Sequence, residues 1–131
     1  NMVEQKIIQM WLDSVIYDMD TAKAMLQTGR LIYSIFMCQQ SLEKCMKAFR
    51  AYQDKEIVPI HNLRRLAEIA SVIHEFDEST LTKLDFLSNY YINARYKEDL
   101  TQLSKGINET VVQDFIQFSE GTIAWLCQKM K

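Results

Sequence analysis

An all-α fold, an up-and-down bundle of four long helices with one short helix in the second crossover, is predicted for this 131-residue chain by three features. Apolar residues recur at three- and four-residue spacing over long stretches. No short segment alternates in the manner of a half-buried strand, and no repeat of solenoid length is present. Glycine and proline are scarce, 3 and 1 respectively, too few to punctuate a multi-stranded sheet.

The elements follow in order. From Val3 to Gln27, Ile7, Trp11, Val15, Met19, Ala22 and Leu26 form one helical face, and Gly29 is a candidate C-cap. From Leu31 to Tyr52, Leu31, Ile35, Cys38, Leu42, Cys45, Met46 and Phe49 fall on an arc of roughly 100°. The opposite arc carries the polar residues Gln39, Gln40, Glu43, Lys44, Lys47 and Arg50. Between Gln53 and Asn62, Pro59 biases Val58 away from helix, so this stretch is a loop. Asn62 can cap a short third helix containing Leu63, Leu66, Ala67, Ala70 and Ile73 and ending near His74. Asp77 or Ser79 can cap a fourth, with Leu84, Leu87, Tyr91 and Ala94 as its inner stripe. Residues 97–105 read as a loose polar connection, after which Asn108 opens a terminal helix marked by Val112, Phe115, Ile116, Ser119, Thr122, Ile123, Leu126 and Met130.

With 48% hydrophobic and 24% charged residues, the composition is that of an ordinary globular protein, and residues 2–131 read as one domain. Asn1 before Met2 has the look of a tag remnant and carries no weight in the fold. The net charge of -2 provides no global field for nucleic acid or anionic membrane. The first apolar stretch is amphipathic and broken by Asp13, Asp18 and Asp20, so neither a signal peptide nor a membrane span is expected, and the expected location is cytoplasmic. Cys38, Cys45 and Cys127 lack metal or redox spacing and read as small buried hydrophobes, so reductant is expected to leave oligomeric state and melting temperature unchanged.

Catalytic chemistry finds little support. His61 and His74 are the two imidazoles, and neither stands in a nucleophile motif. Metal-ligand spacing on a helix is absent, and three scattered glycines cannot build a phosphate loop, so neither a metal nor a cofactor is expected. What remains is the polar arc of the second helix and Arg95, which continues the inner stripe four residues beyond Tyr91. Glu43 and Lys47 form an i, i+4 pair that reads as an ordinary solvated ion pair or as part of a ligand site. Arg95 reads either as a functional guanidinium or as a salt bridge to Glu98, Asp99 or Glu43. His61 suits packing or capping as well as acid-base work.

The spacing of Trp11, Ala22, Leu26, Gly29, Tyr33, Phe36, Gln39-Gln40, Glu43-Lys44 and Lys47, followed by His61-Asn62-Leu63, Leu66, Tyr91 and Arg95-Tyr96, resembles the HEPN domain, the higher eukaryotes and prokaryotes nucleotide-binding domain. The resemblance covers essentially the whole chain. It implies a four- or five-helix bundle that commonly forms homodimers and is often paired with a minimal nucleotidyltransferase in toxin-antitoxin or related systems. Ribonuclease members carry an Arg followed after four to six residues by a His. Here Arg95 is followed by Tyr96, Lys97, Glu98, Asp99, Leu100, Thr101 and Gln102, without the histidine. The R-x4-H-x-Tyr segment that some partners modify is likewise missing, and Lys97 replaces the proline usual after the Arg-Tyr pair of nucleotide-binding members.

The reading that follows is a non-catalytic HEPN-type subunit that binds a nucleotide or polyphosphate or docks a minimal nucleotidyltransferase. Its candidate contacts are Gln40, Glu43, Lys44, Lys47, His61, Arg95 and Tyr96. The alternative is a ribonuclease with a degenerate site, in which Glu43, Lys47 or His61 replaces the missing base and RNA is the ligand. Trp11, Trp125, Phe86, Tyr90 and several methionines exceed what one four-helix core readily hides, which points to a homodimer. Sedimentation at micromolar concentration should therefore give a dimer; a monomer would contradict this reading.

Overall fold

The computed structural model describes the backbone of residues 1–93 and 97–131 and the side chains outside 92–99. The described residues form, in order, α1 (Met2–Gln27), α2 (Leu31–Tyr52), α3 (Leu63–Ile69), a single 3-10 turn (Ile73–Glu75), α4 (Glu78–Asn93), α5 (Lys97–Leu103) and α6 (Glu109–Lys129). The four long helices of the bundle are α1, α2, α4 and α6, and α3 occupies the second crossover. No helix among the described residues is long and apolar enough to cross a membrane.

Helix starts follow the side-chain oxygens visible in the sequence. Asn62 accepts from the Arg65 amide at 2.9 Å and Asn108 from the Val111 amide at 2.9 Å. Of the two candidates before α4, Asp77 is the one that caps, accepting from the Thr80 amide at 2.8 Å. These bonds satisfy amides that a first helical turn leaves without partners. Asn1 departs from expectation. Its side chain caps α1 by accepting from the Glu4 amide at 2.9 Å, and its amino group bonds the Glu4 carboxylate at 3.0 Å.

Three helices end in the same way. The amides of Arg30, Lys55 and Val72 reach back five residues to the carbonyls of Met25, Arg50 and Ala67. Each reversal places the preceding residue in the left-handed region: Gly29 at φ 76°, Asp54 at 57° and Ser71 at 61°. This is the Schellman closure, in which glycine is preferred because a Cβ is strained at positive φ. Gly29 is legible in the sequence as such an end. Ser71 is not, so α3 stops at Ile69 rather than near His74, and Ile73 enters the 3-10 turn instead of a continued helix.

The core lies around α2, which packs against α1 on one side and against α4 and α6 on the others. Ile35, Cys38, Leu42, Cys45 and Met46 are fully buried, as the apolar arc requires. The polar arc is only partly at the surface, with Gln40, Lys44 and Arg50 half-buried. Gln39, Glu43 and Lys47 are buried too, at 0%, 5% and 7% exposure, because α1 and the loop before α3 cover that side. Two serines on α2 hold α1 close: Ser34 Oγ donates to the Ala22 carbonyl at 2.7 Å and Ser41 Oγ to the Val15 carbonyl at 2.9 Å.

Residues 97–103 form α5 rather than a loose connection. Leu103 packs onto the core, and the buried Tyr90 donates its hydroxyl proton to the Leu103 carbonyl at 3.2 Å, fastening the end of α5 to α4. Tyr90 is thus buried instead of surplus at the surface, and Phe86 is covered by stacking on Phe115, with centroids 4.6 Å apart. The exposed large apolar side chains are concentrated on α1, at Met2, Val3, Ile7, Met10, Ile16 and Tyr17.

Urea titrations should separate the two kinds of constraint. Leu42→Ala opens a cavity at a fully buried site and should cost about 3 kcal/mol. Ser71→Gly relieves a left-handed Cβ and should raise stability by up to about 1 kcal/mol; a loss there would show that the serine side chain contributes more than the strain it carries.

Candidate functional site: a buried carboxylate with a histidine at the surface

Gln39, Glu43 and Lys47 succeed one another at four-residue spacing along α2 and share one face. Glu43 is the centre of this row. Its Oε1 accepts from Gln39 Nε2 at 3.1 Å and pairs with His61 Nδ1 at 3.0 Å; its Oε2 accepts from Lys47 Nζ at 2.8 Å. Both carboxylate oxygens are therefore occupied by groups of the same chain. Gln39 is also saturated: its amide nitrogen donates a second bond to the His61 carbonyl at 2.9 Å, and its oxygen accepts from Gln40 Nε2 at 2.7 Å.

The loop ahead of α3 delivers His61 to this row. Gln39 holds the His61 backbone, and Asn62 starts α3 immediately after it. The imidazole is 41% exposed, whereas the Glu43 side chain beneath it is 7% exposed. Its second nitrogen, Nε2, lies 3.0 Å from the Tyr91 hydroxyl, and the two rings stack with centroids 3.9 Å apart. Phe36 also stacks with Tyr91, with centroids 6.2 Å apart. A chain of contacts thus runs from the interior at Glu43, through His61, to Tyr91 on α4. If His61 Nδ1 carries a proton, it donates to the carboxylate, and Nε2 is left to accept the phenolic proton.

Of the expected ligand contacts, Gln40, Glu43, Lys47 and His61 are brought into this one network. Lys44 is not. It faces α1 and pairs with Asp18 at 2.7 Å, with Asp18 itself 4% exposed. Arg95 and Tyr96, and with them the expected approach of Arg95 to Glu43, lie outside the described residues. The solvated reading of Glu43 and Lys47 is overturned: the lysine side chain is 9% exposed and its ammonium sits 6.0 Å from the centre of the Trp11 ring.

Two participants escape the sequence reading of the site. Tyr91 belongs to an inner stripe, which is correct for its helix face but hides its hydroxyl. Asp18 looks like an interruption of the apolar pattern of α1. Its position three residues after Val15 and four before Ala22 places it on the inner face, and a carboxylate there requires a cationic partner.

A buried ion pair adds little net stability over an apolar substitute, but removal of one partner strands the other charge. Glu43→Ala should therefore cost on the order of 3 kcal/mol, and Lys47→Met should cost less in the Glu43→Ala background than alone. Thermal or urea melts of the two single variants and the double variant measure this coupling; additive effects would dissolve the network into independent contacts.

Comparison with known proteins agrees with this architecture. The chain is similar in structure to TT1696 from Thermus thermophilus, with a TM-score of 0.79 at 17% identity over 93% of this chain and 97% of that one. It is similar also to ST0689, described as an archaeal HEPN homologue, with a TM-score of 0.74 at 20% identity over 95% of this chain and 98% of that one. No curated protein matches significantly in sequence. The family model of the HEPN domain matches residues 8–130, and the chain therefore belongs to the HEPN domain family.

Proposed function

We propose that this protein is a non-catalytic HEPN-type subunit, a homodimeric helical module that binds a nucleotide or polyphosphate or docks a minimal nucleotidyltransferase partner, in the manner of a toxin-antitoxin-like pair. The observation that carries this reading is the occupancy of the Glu43 network. Both oxygens of Glu43 are bonded within the chain, and each His61 ring nitrogen has a partner. Such an arrangement stabilises a surface more readily than it turns over a substrate.

The geometry also narrows where a ligand would be met. Lys44 and Lys47 are paired with Asp18 and Glu43 within the chain, which favours other groups as the main phosphate donors. The face that remains is the partly exposed His61, with Tyr91 and Gln40 at its sides. Arg95, four residues beyond Tyr91 in sequence, is the guanidinium assigned to phosphate or to an acidic partner surface.

One feature favours the alternative, a degenerate ribonuclease. An imidazole oriented by a carboxylate is the arrangement of a general base, and His61 with Glu43 has that form. The two readings separate in one set of assays. Titration with ATP and with inorganic polyphosphate should show binding that Arg95→Ala or His61→Ala weakens by about tenfold or more, the value of one charge-assisted hydrogen bond. Incubation with tRNA and mRNA should leave both intact. RNA cleavage abolished by His61→Ala or Arg95→Ala would reverse the assignment.

A further inference from the structure

We propose that the outer face of α1 is a self-complementary docking surface on which a second copy of this chain packs antiparallel, about a two-fold axis beside Asp13. The proposal rests on the homodimeric reading above and deepens it by naming the surface and its direction. Val3, Lys6, Met10, Asp13, Tyr17 and Asp20 follow one another along α1 at alternating three- and four-residue steps, so they form one stripe on the helix. All six are exposed. The stripe lies opposite the face that buries Val15, Met19 and Ala22 in the core. Its apolar members are large and unusually open to solvent: Val3 is 66%, Met10 60% and Tyr17 74% exposed.

Charge decides both the partner and its direction. Elsewhere on α1 the chain answers its own charges, Asp18 with Lys44 and Lys23 with Glu120. Lys6 and Asp20 form no ion pair among the described residues. They stand seven residues on either side of Asp13, about 10 Å along the helix in opposite directions. Turning a second α1 end for end about Asp13 therefore sets Lys6 against the partner's Asp20, and two-fold symmetry repeats the pair at the other end. A parallel arrangement would set Lys6 against the partner's Lys6 and Asp20 against the partner's Asp20, which repels at both ends.

The same turn brings Met10, three residues before the axis, beside the partner's Tyr17, four residues after it. The two largest apolar side chains of the stripe thus cover each other twice, which removes from water the surface that the single chain leaves open. Asp13 meets its own copy at the axis. Its carboxylate is held by Gln9, which donates to it at 2.7 Å and lies on the margin of the stripe away from Met10 and Tyr17. No residue of the stripe belongs to the Glu43 network, so substitutions here test association without altering the candidate site.

The test is sedimentation equilibrium of the full chain and its variants at micromolar concentration, with circular dichroism to confirm that each variant is folded. The wild type should be a dimer, and Met10→Glu combined with Tyr17→Glu should weaken association by about a hundredfold or more. Lys6→Glu and Asp20→Lys should each weaken it by about tenfold or more, and the double variant that exchanges the two charges should return to within about threefold of the wild type. Cross-linking reads the direction: in a Cys127→Ser background, Asp13→Cys should give a covalent dimer on mild oxidation, whereas Ala24→Cys, far from the axis, should not. A dimer unmoved by the Met10 and Tyr17 changes, or a charge exchange that restores nothing, would overturn the surface alone and leave the homodimer to another face. Equal cross-linking at positions 13 and 24 would overturn the antiparallel direction. A wild-type monomer would overturn this proposal and the homodimeric reading together, and binding of that monomer to phosphatidylcholine vesicles would assign the face to lipid instead.

Discussion

A helix covered by its neighbours over most of its surface must satisfy the polar side chains of the covered faces from within the protein, and α2 is such a helix. Its buried residues include Gln39, Ser41, Glu43 and Lys47 alongside Ile35, Leu42 and Met46. An unpaired carboxylate or ammonium in that position would carry a desolvation cost of several kcal/mol, roughly what a large apolar side chain contributes by burial. The surrounding elements are arranged to prevent it. Lys47 answers Glu43 from one turn away, Gln39 answers from the other, and the loop before α3 brings His61 over the remaining site. On the α1 side, Asp18 and Lys44 solve the same problem between two helices.

This constraint explains why the second crossover matters more than its length suggests. Arg50, at the end of α2, donates to the carbonyls of Glu56 in the loop and Ile69 at the end of α3. Gln53 donates to the Ala70 carbonyl. Arg64 forms a two-bond ion pair with Asp85 on α4, and the Leu63 amide donates to Ser88. These bonds fix the short helix between α2 and α4, and so they hold His61 at the surface end of the Glu43 row. A histidine poised between a buried carboxylate and a tyrosine is therefore a product of how the crossover is tied down at both ends.

The same enclosure gives the cysteines different fates. Cys38 and Cys45 sit on the α2 face that meets α6, and the depth of that contact removes them from solvent. Cys127 lies in the last turn of α6, where the cover thins. The different exposure of these thiols is a matter of where each helix is covered, not of the residue type.

Local chemistry along the chain settles the helices, their order and much of their ends. Three-and-four spacing of apolar residues, asparagine or aspartate at the starts, and Gly29 at a finish are signals read within a few residues and physically complete there. Positive-φ closures at Asp54 and Ser71 are not legible, since neither residue demands that conformation as glycine does. Helix α5 is hidden by its polar composition, because its retention depends on Leu103 and Tyr90 meeting across a turn. The candidate contacts can be gathered by resemblance, but whether Glu43 and Lys47 face water or the interior depends on how the helices pack. Periodicity records which residues share a helix face, and a face has no environment until other elements cover it. That is why His61 joins Glu43, Lys44 turns away to Asp18, and Tyr91 enters the network through a hydroxyl that its place in an apolar stripe conceals.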